Sequence, residues 1–190
     1  MAKLVVLLTQ KIEYLASITK LVYWIAARYY RNVIQREICL AGITANDHIL
    51  FIGGGLCPFS AILLHQNTGA KVTVIDNNPG CIQNALDNVN RLGISEYVRV
   101  LHEEGDSENL LLSEYSVIHF AMQVFPMFHV FTQVERQAAP GTKILVRKPK
   151  RHLNIFYSKL SALTCCKHVV HNGASNIGST ILYVKQGQPL

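Results

Sequence analysis

The spacing of apolar and polar residues predicts alternating strands and helices from residue 48 onward. Short β-rich apolar runs occur at about 48–52, 71–75, 97–101, 115–121 and 143–147. Segments with helical periodicity separate these runs, at about 58–67, 79–92, 108–113, 126–138 and 151–163. Such alternation predicts an α/β fold with a mainly parallel, doubly wound sheet and right-handed crossovers.

The end of the chain breaks this alternation. Two further strands are predicted at about 166–171 and 180–185, and residues 172–179 between them are rich in Gly, Asn and Ser. This loop contains no helix, so we expect one of the two C-terminal strands to run antiparallel to its neighbours.

Residues 1–44 are predicted to be helical. One apolar stripe recurs at helical spacing from Leu15 to Ala26, a second helix is predicted over Asn32–Leu40, and Gly42 suits a C-terminal cap. The segment is rich in aromatic residues. We therefore interpret 1–44 as a helical segment that packs on the sheet or covers its ligand edge as a lid, and 45–190 as the main domain.

Composition narrows the class of protein without identifying a partner. About half of the 190 residues are apolar and the net charge is +6, which permits a nucleic-acid substrate but does not require one. The five cysteines show no CxxC pair or zinc spacing, so we expect reduced thiols and no metal site. The short apolar run at 4–8 matches neither a signal peptide nor a membrane span, and we expect a cytoplasmic protein.

Residues 48–78 carry the most specific motif. An apolar strand ends in Gly53, Gly54 and Gly55, a helix follows, and a second strand ends in Asp76. Glycines at such a turn let the backbone approach a ligand, and an acid after the second strand accepts ribose hydroxyls. This motif predicts a Rossmann-like, nucleoside-binding fold.

The details of the turn favour S-adenosylmethionine (SAM) over NAD. A dinucleotide fingerprint needs a third glycine where this chain has Pro58. SAM has no phosphates, so it does not need the phosphate-binding glycine. Its ribose can bind the carboxylate of Asp76, and an acid after strand three can bind its adenine. The sequence supplies such acids at 104–106.

From 48 to 185 the chain resembles the class I SAM-dependent methyltransferase superfamily. The resemblance rests on FIGGG (51–55), VIDNNPGCIQNALDNVNRLG (74–93), EGD (104–106) and PGTKILV (140–146). It implies that the cofactor contacts the glycine turn with its methionine part, Asp76 with its ribose, Asn77 with its adenosine edge and Asp106 with its adenine amine. The residues assigned to cofactor binding are Gly53, Gly54, Gly55, Asp76, Asn77, Asp106 and Ala121.

A fainter resemblance links the chain to nicotianamine synthases and related opine-metallophore synthases. GGGLCPFSAILL (53–64) and PGTKILVRKPKRHLNIFYSKL (140–160) are similar to their motifs, as are Tyr29–Tyr30, Asn32 and Glu37. These enzymes transfer a 3-amino-3-carboxypropyl group from SAM to an amine. The N-terminal segment of this chain is much shorter than theirs.

The remaining polar residues supply candidates rather than a recognised catalytic motif. No Asn/Asp-Pro-Pro-aromatic motif follows strand four, where the sequence is HFAMQVFPMF (119–128), which argues against methylation of exocyclic base amines. Tyr30, Glu37 and His119 are candidate catalytic residues, and Tyr29 and Arg147 are candidate substrate contacts. We expect a SAM-dependent methyltransferase acting on a small molecule; the alternatives are aminocarboxypropyl transfer and a SAM-binding subunit without catalysis.

Overall fold

The computed structural model describes residues 20–150, 167–172 and 176–187, with side-chain surroundings from residue 28 onward. The helix predicted over 151–163 lies outside the described residues. The described elements are α1 (Lys20–Ala41), β1 (His48–Ile52), α2 (Phe59–Thr68), β2 (Lys71–Asp76), α3 (Pro79–Arg91), β3 (Val98–His102), β4 (Val117–Phe120), α4 (Met127–Gln137), β5 (Lys143–Pro149), β6 (Lys167–Val170) and β7 (Ile177–Val184).

The strands form one seven-stranded sheet in the order β3-β2-β1-β4-β5-β7-β6. Strands β1 to β5 are mutually parallel, and β7 runs antiparallel to both of its neighbours, β5 and β6. The prediction of a mainly parallel, doubly wound sheet with one antiparallel C-terminal strand is confirmed. The strand order reverses between β1 and β4, and ligands of such sheets bind at the carboxyl ends of the strands there.

Both faces of the sheet are buried, which explains the nearly continuous apolar runs of the central strands. In β1, Ile49 and Phe51 belong to a core that also contains residues of α1, α2 and α3, whereas Leu50 and Ile52 pack with α4. The alternation along one strand therefore divides the interior into two cores. Of the helices in the described part of the chain, none is long and apolar enough to cross a membrane.

The N-terminal region differs from the prediction of two helices. A single helix, α1, runs through the expected break, because no glycine or proline interrupts Lys20–Ala41. Gly42 ends it with a φ of +57°, and the N–H of Ile43 donates to the carbonyl of Ile38 at 3.0 Å, which is a Schellman cap. The last turns of α1 are not a detached cover, since Ile34 is fully buried in the core of α2 and α3.

Two local predictions were wrong in extent. The short helix expected near 108–113 is a single 3-10 turn, Leu112–Glu114. Strand β4 begins at Val117 rather than at residue 115. The backbone of Ser116 still bonds to His48 and Lys143 of the neighbouring strands, so the difference concerns only the first residues of the strand.

Candidate active site

The glycine turn after β1 is held tightly between neighbouring strands. The N–H groups of Gly53 and Gly54 both donate to the carbonyl of Ile75, at 2.9 and 3.2 Å. Gly53 has a φ of +90°, and a Cβ on Gly54 would lie 2.3 Å from a methyl carbon of Val74. Side chains are therefore excluded at this turn, and its backbone is the surface that a ligand would meet.

Asp76, at the end of β2, is the second fixed point. Its Oδ2 accepts the N–H of Gly55 at 2.7 Å, and its Oδ1 accepts the N–H of Asn78 at 2.9 Å. Asp76 does not cap α3, because Asn78 accepts the N–H of Gly80 and takes that role. Each carboxylate oxygen keeps acceptor capacity beyond its one backbone bond.

A cavity of about 320 Å³ opens beside Asp76. Its volume lies at the small end of the range for sites that bind small molecules. One wall is polar and carries carboxylates and amides. The other is apolar and comes from the end of β1, the connection between β4 and α4, and the first turn of α4. The polar wall comprises Asp76, Asn77, Asn78, Glu103 and Glu104, and the apolar wall comprises Ile52, Val124, Phe125 and Val130.

The loop after β3 differs in detail from the assignment made from the sequence. Glu103, Glu104 and Gly105 line the cavity, whereas the carboxylate of Asp106 is paired with Nε2 of His129 at 2.9 Å. Asn77 lines the cavity, and its amide nitrogen donates to Glu104 at 3.2 Å. An adenine contact by Asp106 stays a prediction, and Glu103 and Glu104 are the loop acids at the wall.

A smaller cavity of about 70 Å³ lies next to the larger one. Gly53 and Gln123 belong to the walls of both, so the two cavities meet at the glycine turn. Several residues singled out from the sequence come together around the smaller cavity, although they are far apart in the chain. They are Tyr29, Tyr30, Gly53, Gly54, Ala121 and Arg147.

Arg147, in the second half of β5, reaches this cavity from a buried ion pair. Its Nε and Nη2 donate to the two carboxylate oxygens of Glu37 at 2.8 and 2.7 Å, and its Nη1 donates to Ser60 at 2.8 Å. The guanidinium lies 6.0 Å from the ring centre of Tyr30 and 5.8 Å from that of Phe51. Three of its five N–H groups are thus used, and no acceptor for the other two is found among the described residues.

Glu37 is the centre of this cluster and is fully buried. Its Oε1 also accepts the hydroxyl of Thr180 at 2.7 Å, and its Oε2 accepts Nε2 of His119 at 3.1 Å. Burial by itself raises the pKa of the carboxyl, but the charge of Arg147 and the hydrogen bonds outweigh burial and hold the pKa well below its usual range. Glu37 is therefore a carboxylate.

His119 lies beside Glu37 and is also fully buried. Its pKa is lowered, chiefly by burial, so the ring is neutral and carries its proton on Nε2, which faces the carboxylate. The ring stacks on Phe51 with centres 4.6 Å apart, and its Nδ1 has no hydrogen-bond partner among the described residues. Neither Glu37 nor His119 is part of the wall of either cavity, so both stand behind Arg147.

The C-terminal hairpin completes the cluster with residues that the sequence did not single out. Nε2 of His171 donates to Thr180, whose hydroxyl donates in turn to Glu37. The hydroxyl of Tyr29 accepts the N–H of Asn176 at 2.8 Å, which joins α1 to the same hairpin. We call Glu37, Ser60, His119, Arg147, His171 and Thr180 the buried cluster. Single Ser, Thr and His residues are too common for their spacing to have revealed it.

Within the described ranges, His, Cys, Asp and Glu residues nowhere form a group of three or more that could hold a metal ion.

Comparison with known proteins bears on this arrangement. No family model matches the chain. L-histidine 2-aminobutanoyltransferase of Yersinia pestis is 32% identical over 72 residues, which are 38% of this chain and 27% of that protein. The match thus spans only about a quarter of the length of this curated relative.

Solved structures resemble the chain over most of its length. A point mutant of the nicotianamine synthase MtNAS, in complex with SAM, superposes with a TM-score of 0.80 at 23% identity, covering 97% of this chain and 76% of that one. An RNA methyltransferase from Salinibacter ruber, in complex with S-adenosylhomocysteine, has a TM-score of 0.62 at 17% identity, covering 84% and 94%. The chain therefore has the class I SAM-dependent methyltransferase fold, and both resemblances seen in the sequence are confirmed at the level of fold.

Proposed function

We propose that this chain is a SAM-dependent transferase that acts on a small molecule. The observation that carries the proposal is the meeting of two cavities at a glycine turn whose shape excludes side chains. One cavity is bounded by a ribose-type carboxylate, and the other by a guanidinium and aromatic rings. Such a pair can hold a nucleoside donor and an acceptor on either side of one reacting centre.

The residues of the larger cavity fit SAM. Asp76 has acceptor capacity for two ribose hydroxyls, and its bonds to Gly55 and Asn78 fix its orientation. The N–H groups of Gly53 and Gly54 are both bonded to the carbonyl of Ile75 and do not form a phosphate-binding loop. The turn therefore suits a donor without phosphates. Acidic residues on one wall also suit a donor with a sulfonium charge.

Bound SAM supplies a sulfonium whose carbon substituents are open to displacement: methyl transfer leaves S-adenosylhomocysteine, and 3-amino-3-carboxypropyl transfer leaves methylthioadenosine. We favour aminocarboxypropyl transfer to an amine. The likeness to MtNAS covers 97% of the chain, α1 included, and the curated relative is named for aminobutanoyl transfer to L-histidine. Methyl transfer is the second candidate, supported by the likeness to the Salinibacter ruber enzyme.

Arg147 is the residue we assign to acceptor binding. Two of its N–H groups are without partners among the described residues, and the side chain lines the smaller cavity. A carboxylate on the acceptor would satisfy both. Tyr30 and Tyr29 form the neighbouring wall and exclude water from the amine. Glu37 acts through Arg147 as a positioning residue.

His119 is not assigned a direct part in proton transfer. A neutral, fully buried ring whose one hydrogen-bond partner among the described residues is Glu37 supports the orientation of that carboxylate. The acceptor amine would lose its proton to a group at the cavity wall, and Tyr30 is the candidate among the residues named from the sequence.

Product analysis tests the proposal. The protein is incubated with SAM and L-histidine as the probe acceptor, and products are separated by mass spectrometry. Methylthioadenosine together with histidine that carries a 3-amino-3-carboxypropyl group supports the favoured reaction, and S-adenosylhomocysteine together with methylated histidine supports methyl transfer. Binding of SAM in calorimetry without turnover of any amine offered would leave a SAM-binding subunit without catalysis. Absence of SAM binding would exclude all three.

A further inference from the structure

Among the described residues, the wall of the smaller cavity carries one charged side chain, that of Arg147. The other polar side chains of this wall are uncharged: Tyr29, Tyr30, Ser60, Gln123 and Asn176. We propose that the site selects an acceptor whose side chain is uncharged but forms hydrogen bonds, and that Gln123 and Asn176 determine this specificity. The inference rests on the proposed function and names the class of acceptor for the same site.

The charges around the smaller cavity suit one carboxylate on the acceptor and no ionised side chain. Arg147 is already paired with Glu37, and one carboxylate would use the N–H groups that the guanidinium has left. A second carboxylate would find no further cation at this wall, and an ammonium group would find no carboxylate. Because a charge that leaves water without a partner is costly, acceptors with a charged side chain are disfavoured.

The side-chain amides of Gln123 and Asn176 supply the hydrogen bonds that an uncharged polar group needs. Neither amide has a hydrogen-bond partner among the described residues. Both side chains are exposed whereas Arg147 is buried, so the amides lie at the mouth of the cavity and the guanidinium at its base. An acceptor whose carboxylate binds Arg147 therefore presents its other end to the amides, which can donate as well as accept.

The backbone places Gln123 beside the glycine turn. The N–H of Val124 donates to the carbonyl of Ala121 at 3.4 Å, which closes a turn around Gln123. This turn packs on Gly53, because a Cβ there would lie 3.1 Å from the Cβ of Ala121 and 3.2 Å from a methyl carbon of Val124. Gln123 is thus fixed where the donor and acceptor cavities meet.

Asn176 is fixed on the opposite element, the C-terminal hairpin. Its N–H donates to the hydroxyl of Tyr29 at 2.8 Å, and its carbonyl accepts the N–H of Lys150 at 3.0 Å. Both bonds use main-chain atoms of Asn176, so they can persist when its side chain is replaced. Substitutions at this position therefore test recognition by the amide rather than the placement of the hairpin.

The test compares kcat/KM for L-histidine, L-lysine and L-glutamate at about pH 8, where the imidazole of free histidine is neutral. Turnover is measured as release of methylthioadenosine or S-adenosylhomocysteine, so that either transfer reaction is detected. We expect the wild type to prefer L-histidine over each charged acceptor by about tenfold or more.

Substitutions then assign the preference to the two amides. Asn176→Asp and Gln123→Glu each add a carboxylate and should shift the preference towards L-lysine by about tenfold, as a charge-assisted hydrogen bond would. Asn176→Ala should lower kcat/KM for L-histidine about fivefold and leave that for L-lysine unchanged. Gln66→Glu is the matched control, because Gln66 is exposed on α2 and outside the walls of both cavities, and it should leave the preference unchanged.

The outcomes separate this inference from the proposed function. Similar kcat/KM values of the wild type for the three acceptors, or a preference for a charged one, would overturn the inference alone. An unchanged preference in Asn176→Asp, Gln123→Glu and Asn176→Ala, with native circular dichroism, would also overturn it, since the amides would not determine specificity. Release of neither product with any of the three acceptors would instead overturn the proposed function, and the acceptor class with it.

Discussion

The larger cavity and the buried cluster are built from the chain in different ways. The fixed points of the cavity are close in sequence: Gly55 and Asp76, joined by a hydrogen bond, are 21 residues apart. Glu37 is paired with Arg147 and Thr180, which lie 110 and 143 residues away. The first arrangement needs only one β-α-β unit, whereas the second exists only after α1, β5 and β7 have come together.

This difference separates binding from stability. The cavity wall is held by backbone N–H groups that donate to one partly exposed carboxylate. Substitutions in this wall should therefore lower the free energy of unfolding only moderately. The buried cluster holds a carboxylate and a guanidinium away from water, and removal of one charge leaves the other uncompensated. The comparison predicts that substitutions in the cluster affect stability most, and that substitutions in the cavity affect ligand affinity most.

The largest effect is expected for Glu37→Ala. Loss of this carboxylate leaves the buried Arg147 unpaired, and we expect the free energy of unfolding to fall by about 3–5 kcal/mol. Urea denaturation followed by circular dichroism measures it, with the exposed Glu96→Ala as a control expected to be nearly neutral. The double variant Glu37→Leu with Arg147→Met should lose much less than the sum of its single substitutions. If the loss of stability in the double variant equalled the sum of the two single losses, Glu37 and Arg147 would not be energetically paired.

The next largest effect concerns affinity and tests the other side of the comparison. Asp76→Ala should weaken S-adenosylhomocysteine binding by about 1.5–3 kcal/mol, the range for lost hydrogen bonds to a charged group. Its stability should change less than that of Glu37→Ala, because the side chain is only partly buried. Calorimetry on Asp76→Ala is compared with Asp87→Ala, whose carboxylate accepts from Gln83 on the exposed face of α3. Equal affinities of the two variants would remove Asp76 from the site.

A smaller loss of stability is expected for Thr180→Val, which keeps the shape of the side chain but removes its hydroxyl. Glu37 then lacks one donor, and the N–H of His171 lacks its acceptor. We expect a cost of about 1–3 kcal/mol, because buried polar groups are left unpaired. The matched control is Thr132→Val, whose hydroxyl donates within the exposed part of α4. If Thr132→Val lowered the melting temperature more than Thr180→Val, Thr180 of the C-terminal hairpin would not contribute to stability as proposed.

The same division explains what could be predicted from the sequence. A mainly parallel sheet with one antiparallel C-terminal strand follows from the alternation of elements and from the loop without a helix, and this prediction is confirmed. The order of the strands, and which of the two C-terminal strands is antiparallel, were not predicted and come from the structure. The glycine turn and Asp76 belong to one local motif, so the sequence was also sufficient to predict that they lie close together.

The sequence predicted some members of the buried cluster but not the contacts between them. Glu37, His119 and Arg147 were named separately as candidates, but no spacing indicates that they share hydrogen bonds 82 and 110 residues apart along the chain. Nothing in the sequence indicates a role for Ser60 and Thr180, because their hydroxyls bind side chains that only the folded structure brings near them. That Gln123 and Asn176 line one cavity is likewise a property of the tertiary structure.

The smallest effect we predict is a dependence of stability on pH that His119 causes. Burial lowers its pKa from the ordinary value of 6.5 in the folded state, so the unfolded chain binds the proton more readily. The stabilising effect of the neutral ring is thus present above about pH 6.5 and is lost as the pH falls through the folded pKa. The free energy of unfolding should therefore decrease from pH 7.5 to pH 5.5.

The dependence can be assigned by substitution. The pKa values of His48 and His171 are lowered as well, chiefly by burial, so they contribute with the same sign. His119→Gln should reduce the decrease without abolishing it, whereas the exposed His168→Gln should leave it unchanged. Glu37 acts at lower pH, because its depressed pKa makes its contribution disappear only below the ordinary carboxyl value of 4.5. If His119→Gln showed the full wild-type decrease in urea titrations at pH 5.5, the neutral imidazole beside Glu37 would not be the cause.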